Sequence, residues 1–396
     1  SSRARGTRAA DQNLKSLYTA DAGIEFGVWS LLNDSDFRAD VDSQTGFFVD
    51  RVFPYGPVND YDPVVKVKAL PIGIWSDLAY FPTNIGSGGA LAYNGGDRIY
   101  ALRGGGTKTF KYYSISSNQW FNLDPTPKNV GAGGALAYED GYVYAIQGNN
   151  KKGFWRYSNS GGWEELDQIQ PNNDTFSSGG ALASDGSYIY AMGVGNNQKK
   201  FYRFSISSEE WEKLKNTPDT VTDGAALVHA GGNDFYALQG SGSNNFWRYD
   251  KSNDKWNHQN TTPQPIPQAV GAGGGLPVAI GGGEAVGPGG SLAYGGGDYI
   301  YALQGGGTGF YRYSISGDGW TQLAAAPDAV GSGGSLVFTD AKHGFALQGG
   351  NQADFWKFEV TPPRYDISSS IPGFTNITAR VELDGSNNPI LFWDID

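Results

Sequence analysis

The sequence predicts a mainly β protein: a six-bladed β-propeller closed by an N-terminal strand, plus a small α+β module made from both chain termini. Three features predict it. A glycine-bounded strand of small residues recurs six times, starting at Gly88, Gly133, Gly179, Gly224, Gly289 and Gly333, at intervals of 45, 46, 45, 65 and 44 residues. A fixed period in that range marks a radial or stacked repeat. Each copy then holds three more strand-like runs, and four short antiparallel strands per repeat make one propeller blade. Both ends of the chain lack the repeat and carry a helical stripe and a hairpin instead.

The order inside the copies is constant. After Gly88-Gly89-Ala90-Leu91 and its equivalents comes a second strand: Tyr100-Ala101-Leu102, Tyr144-Ala145-Ile146, Tyr190-Ala191-Met192, Tyr236-Ala237-Leu238, Tyr301-Ala302-Leu303 and Phe345-Ala346-Leu347. The third is aromatic, as in Phe154-Trp155-Arg156-Tyr157, and the fourth carries Trp120, Trp163, Trp211, Trp256 or Trp320. Asn, Gly, Asp and Ser clusters separate the runs and supply the turns. Small residues suit the crowded strand near an axis, and large aromatics fill the widening wedge outside. The sixth copy meets Thr361-Pro362-Pro363 before any fourth strand, and proline cannot donate to a ladder. Ile72–Leu78, with Trp75, is the expected replacement and would close the ring. Residues 72–360 number 289; six repeats of 45 leave about 19, which matches the long interval and is assigned to a glycine-rich loop, Gly271–Gly287.

These residues resemble the kelch-type propeller, with its glycine pair, tyrosine-bearing second strand, aromatic third strand and fourth-strand tryptophan. The resemblance covers 72–360. It departs in the third strand, where the family's Tyr-Asp pair occurs only at Tyr249-Asp250.

Outside the repeat, residues 1–71 predict a helix from about Arg8 to Leu32, with Leu14, Leu17, Tyr18, Ile24, Val28, Leu31 and Leu32 on one stripe. Gly23 and Gly27 permit close approach of another backbone, and Asn33-Asp34-Ser35 ends the helix. Val65, Val67 and Ala69 alternate with Lys66 and Lys68 as a half-buried strand. In residues 361–396, Ile377, Ala379, Val381 and Leu383 alternate with Thr378, Arg380 and Glu382, and the turn Asp384–Asn388 leads into Ile390–Trp393. A lone hairpin is marginal in water, so both ends are expected to share one domain, with the propeller inserted between them.

The segment Leu17–Glu25, with Trp29 and Leu31, and the tail segments Tyr365-Asp366-Ile367, Ile377–Val381 and Leu391-Phe392-Trp393 resemble the periplasmic part of a type IV pilin-like protein. That resemblance implies an assembly helix, carried by Leu14, Leu17, Ile24, Val28 and Trp29, and partners that are further copies in a filament or other pilin-like subunits. Pilins begin with a long apolar helix, whereas Ser1-Ser2-Arg3-Ala4-Arg5-Gly6 is polar and basic. A membrane partner is expected only if such a helix lies upstream, which would set Arg3, Arg5 and Arg8 just outside the bilayer.

Composition excludes several chemistries. A net charge of −11 argues against nucleic acid. The chain has no cysteine, hence no disulfide, thiol nucleophile, Cys-ligated metal or cysteine–tyrosine copper centre. His229, His258 and His343 show no ligand spacing. Gly104–Gly106 and Gly281–Gly283 lack the lysine of a phosphate loop and read as turns. Asp97, Asp140 and Asp234 recur in the first turns; a calcium site is the functional alternative to routine turn chemistry there. Sequons start at Asn33, Asn173, Asn260 and Asn376. The low-charge, Cys-free, Tyr- and Asn-rich composition points to an extracellular or cell-surface location.

Two rows of repeated residues are candidate sites. Arg103, Gln147, Gln239, Gln304 and Gln348 end the second strands, with Gly193 as the exception. They read either as a ring of donors for sugar hydroxyls at the propeller mouth or as hydrogen bonds between blades, and repeated identity favours the structural reading. Arg156, Arg203, Arg248, Arg312 and Lys357 recur on third strands, with Tyr112 in the first copy. On separate blades they diverge, so their stems are expected to stack on neighbouring tryptophans. No catalytic constellation, cofactor or metal is predicted. The functional expectation is a non-enzymatic surface protein that displays a propeller as a binding or adhesion head for a glycan or protein; a glycan-active enzyme and a structural sheath or surface-layer protein are the alternatives.

Overall fold

A computed structural model describes residues 2–54, 57–169, 174–195, 198–240, 243–256, 288–373, 376–383 and 389–395, with side-chain detail from 11 to 383. Among these residues the chain divides into two compact units: one comprises residues up to Gly73 and from Thr361 onward, the other Ile74 to Val360. The loop expected at Gly271–Gly287, His258, Asn173, Asn260 and the turn 384–388 lie outside the described residues.

The first unit is a helix on a five-stranded antiparallel sheet. Its strands run in the order Val49–Arg51, Val64–Leu70, Arg364–Ser370, Asn376–Leu383 and Pro389–Ile395. The middle pairing sets Val67 opposite Ile367 and Ala69 opposite Tyr365. That register keeps Val65, Val67, Ile367, Ile377, Ala379 and Val381 in one core. Helix α1 (Ser2–Asn33) packs on it, and Asp34, accepting from Phe37 N at 3.0 Å, caps a second helix, α2 (Ser35–Ser43). The sequence reading saw the stop at Asn33-Asp34-Ser35 but not this second helix, which the Asp34 cap starts.

The expected apolar stripe needs correction. Ile24 and Leu31 are buried and Leu17 and Val28 partly so, but Leu14 is 51% exposed, Tyr18 59%, Trp29 49% and Leu32 36%. Ser16, Thr19, Ala20, Gly23, Gly27 and Ser30 form most of the buried face instead. The cause is a close helix–sheet approach: a Cβ on Gly23 would overlap Ser369, and one on Gly27 would meet Ile367 at 2.7 Å. The hydroxyls of Ser16, Thr19 and Ser30 are satisfied within the helix, by the carbonyls of Asn13, Lys15 and Phe26.

The second unit holds six four-stranded antiparallel sheets among the described residues. Their first strands are Ala90–Tyr93, Ala135–Glu139, Phe176–Ser184, Ala226–His229, Ser291–Tyr294 and Ser335–Phe338. Each neighbours the next, and the last neighbours the first. This is a β-propeller-like fold. The sixth sheet takes its outer strand from Ile74–Asp77, which pairs with Phe355–Glu359 and sets Trp75 opposite Phe358. A belt of indole hydrogen bonds joins the sheets near their outer edges. Trp120 Nε1 donates to Ala79 O, Trp163 to Asp124 O, Trp211 to Asp167 O, Trp256 to Lys215 O and Trp75 to Ala324 O, all at 2.8–3.0 Å. Each acceptor follows the outer strand of the preceding sheet, so the indoles fasten one sheet to the next.

Candidate functional site at the glycine turns

The first strands begin in tight turns that crowd the centre of the second unit. Gly89 N donates to Gly86 O, Gly134 N to Gly131 O, Ala225 N to Thr222 O and Gly334 N to Gly331 O, at 2.8–2.9 Å. Gly88 and Gly333 sit at φ +85° and +89°. A Cβ on Gly88 would overlap Gly131 O of the second sheet, and one on Gly333 would overlap Gly86 O of the first. Glycine is required at these two positions both for the left-handed backbone and for the absence of a side chain.

Between the turns lies a cavity of about 70 Å³, lined by glycines, Ala132 and Ala225 and by Ser87, Ser178, Asp223 and Ser332. The Ser87 and Ser332 hydroxyls are bonded to each other across the junction of first and sixth sheets. A water needs about 10–15 Å³ of such space, so the cavity suits a few waters or a small ion. Sequence reasoning missed Ser87, Ser178, Asp223 and Ser332; the signal was the residue preceding the first glycine of each copy, which changes from copy to copy.

Arg103, Gln147, Gln239, Gln304 and Gln348 do not line this cavity. Their side chains are engaged with the main chain. Arg103 Nε donates to Asn84 O, and Gln147, Gln239 and Gln348 Nε2 donate to Asn129, Thr220 and Ala329 O, at 2.8–3.0 Å. Their own carbonyls accept from Gly86, Gly131, Thr222 and Gly331 N. Each residue thereby clasps the incoming loop at two points. Gln304 Oε1 accepts from Gly309 N. At the exceptional copy, Gly193 O accepts instead from Ser177 Oγ.

Three of the five basic residues carry their guanidinium over a tyrosine, where tryptophan was expected. Arg156, Arg203 and Arg312 lie over Tyr142, Tyr188 and Tyr299, with the guanidinium carbon 5.0, 4.4 and 4.3 Å from the ring centre. The first sheet exchanges the two residues: Arg98, on the second strand, covers Tyr112 on the third at 4.4 Å. In the fourth sheet Arg248 instead forks onto Asp234 at 2.7 and 2.9 Å.

The remaining candidates are committed to structure. Asp97 accepts from Ser114 Oγ and Ser116 N, and these bonds hold its carboxyl below the usual range. Asp140 occupies a left-handed turn at φ +48°, and Asp234 is taken by Arg248. No group of three His, Asp or Glu among the described residues could hold a metal. His229 stacks on Phe235 at 4.7 Å, and burial pushes its pKa down. His343 Nδ1 pairs with Asp340 at 2.9 Å. Gly104, Gly105 and Gly106 are left-handed turn residues. Asp185, nearly buried, joins the third and fourth sheets through Lys251 Nζ at 2.8 Å. Burial raises the Asp185 pKa, but Lys251 and the amides of Ser187 and Tyr188 outweigh it, and the net shift is downward.

Among solved structures, the chain is similar to a structural genomics protein of unknown function from Bacteroides thetaiotaomicron VPI-5482, at TM-score 0.52 and 14% identity over 77% of this chain and 78% of that one. It is also similar to YjhT, at TM-score 0.53 and 13% identity over 80% of this chain and all of the other. At such identities the likeness shows the fold alone. No protein-family model and no curated protein matches the chain. No described helix is long and apolar enough to cross a membrane.

Proposed function

We propose that this chain is a non-enzymatic cell-surface or extracellular protein in which a pilin-like module carries a six-bladed kelch-type propeller as a binding or adhesion head, assembling with copies of itself or with other pilin-like subunits. One observation carries the reading. Residues up to 73 and from 361 onward form a single helix-on-sheet module, and the whole repeat is inserted between two of its adjacent strands, Val64–Leu70 and Arg364–Ser370. Helix α1 of that module keeps Leu14, Tyr18, Trp29 and Leu32 exposed on the side away from its sheet, the kind of apolar surface that marks an interaction site.

The chain has no cysteine, so single substitutions give clean cross-linking probes. Tyr18→Cys and Trp29→Cys proteins should form disulfide-linked copies under mild oxidation in proportion to assembly seen by electron microscopy, whereas Asp50→Cys, an equally exposed position on the edge strand Val49–Arg51, should not. Dispersed monomers at high concentration, or equal cross-linking at all three positions, would overturn the assembly reading.

A further inference from the structure

A second concavity lies at the opposite ends of the first strands, where hairpins turn into the second strands. It is a cleft of about 530 Å³ between the first hairpins of the fifth and sixth sheets, within the range of about 300–1,000 Å³ found for small-ligand pockets. We propose that this cleft binds a neutral or amino-substituted pyranose, seated on Tyr299 and hydrogen-bonded by Asp298 and Asp340. The proposal rests on the reading of the propeller as a binding head and names its ligand class.

Three observations support it. First, the floor is aromatic and open. Tyr294, Tyr299 and Phe338 line the cleft together with Gly295, Gly296 and Gly297, which carry no side chains to fill it. Arg312 covers one face of Tyr299, yet Tyr299 remains 36% exposed. Phe338 is fixed by stacking on Tyr301 at 3.9 Å and 20°; a Cβ on Gly295 would overlap Tyr301. A rigid aromatic with one free face is what the apolar C–H face of a pyranose packs on.

Second, the polar groups sit beside that floor and are already oriented. Asp298 is held by Ser314 Oγ and Ser316 N, and Asp340 by Lys342 N, His343 N and the His343 ring. A carboxylate has about four acceptor sites, so each keeps capacity for a ligand hydroxyl. Thr339 also lines the cleft. Third, the charge selects. The bonds from Ser314 and Ser316 lower the Asp298 pKa, and those from His343 and Lys342 outweigh burial to lower that of Asp340. The lining residues include no Lys, Arg or His. Two ionised carboxylates among the lining residues, against one neighbouring guanidinium, Arg312, disfavour uronic or sialic acids and accept hydroxyl or ammonium donors.

The repeat supplies matched controls. Tyr142 stacks under Arg156 as Tyr299 does under Arg312, and Asp97 is held by Ser114 and Ser116 as Asp298 is by Ser314 and Ser316; neither lines the cleft. Full-length protein would be tested by saturation-transfer NMR and calorimetry with lactose, maltose, chitosan disaccharide and digalacturonate. The expected result is saturable binding of at least one of the first three, weakened about tenfold or more by Tyr299→Ala or Asp298→Asn, and unchanged by Tyr142→Ala or Asp97→Asn. Binding to none of the first three, equal losses in the matched controls, or tighter binding of digalacturonate would overturn the proposal. The Tyr18→Cys and Trp29→Cys cross-linking is independent of it: assembly without sugar binding defeats this inference alone, and sugar binding without assembly defeats only the filament reading.

Discussion

Replacing Trp75 tests whether the early strand holds the second unit closed. Its ring meets Phe310 of the fifth sheet at 5.0 Å and Phe358 of the sixth at 5.0 Å, and its Nε1 donates to Ala324 O at 2.9 Å. Full truncation of a buried Trp costs about 3–5 kcal/mol. Trp75 is only partly buried, so about half of that applies, or about 2 kcal/mol. The lost hydrogen bond adds about 1 kcal/mol. Trp75→Ala should therefore destabilise the propeller unit by about 3 kcal/mol, or about 6 °C in its calorimetric midpoint at about 2 °C per kcal/mol for a large domain. Trp75→Phe keeps the ring contacts and loses only the N–H donor, so about 1 kcal/mol is expected. Tyr80, in the same connecting segment but 60% exposed, is the control; its alanine variant should stay within about 0.5 kcal/mol of the parent. A Trp75→Ala midpoint equal to that of Tyr80→Ala would refute the closing role of Ile74–Asp77.

Two further perturbations follow from the same geometry. Gly296 and Gly333 both have φ +89°, but an added Cβ meets nothing within 4 Å at Gly296 and overlaps Gly86 O at Gly333. Gly296→Ala should cost about 1 kcal/mol, the left-handed strain alone, and Gly333→Ala clearly more; equal urea midpoints would remove the close-packed centre from the account. For His229, burial depresses the folded pKa below the ordinary 6.5. Its contribution to stability is therefore complete above about pH 6.5 and is lost as pH falls through the depressed folded value. The guanidinium midpoint should drop between pH 7.5 and pH 5, and His229→Gln should flatten that part of the profile; an unchanged slope would show that His229 does not titrate differently on folding.

The propeller-like architecture was legible because its signals are local and repeated. Gly88-Gly89 and its equivalents mark the turns, and Tyr100, Tyr144 and Tyr190 mark the second strands. Trp75 was readable as a fourth-strand tryptophan because Trp120 and Trp163 had already defined that position. Helix α1 has no second copy to calibrate it. Hydrophobic periodicity sets its apolar residues on one stripe, but the sheet approaches so closely that Gly23 and Gly27 must face it. Larger side chains such as Leu14 and Tyr18 are left outside. Periodicity finds an apolar stripe; it does not say whether the partner comes from the same chain.

The arginine row shows a misreading that the sequence itself could have prevented. The arginine stems are expected to lie on neighbouring tryptophans because the row diverges on separate blades, but strand register decides which rings the guanidinium reaches. Arg156 pairs with Tyr144 across the ladder, and the diagonal neighbour is two residues along the partner strand, which places Tyr142 under the guanidinium. The same two positions hold Tyr188 and Arg203, Tyr299 and Arg312, and, in reverse, Arg98 and Tyr112; Asp234 and Arg248 fill them with an ion pair. A pair of positions that exchanges partners or switches from ring stacking to charge pairing, while always keeping one cation, is a contact written into the repeat. Internal repetition thus provides the covariation that a single sequence otherwise lacks. By the same logic, Tyr299 shares its arginine partner with its counterparts in other sheets, so Arg312 does not account for the cleft; the Gly295–Gly297 run beside it, found in no other copy's first hairpin, does.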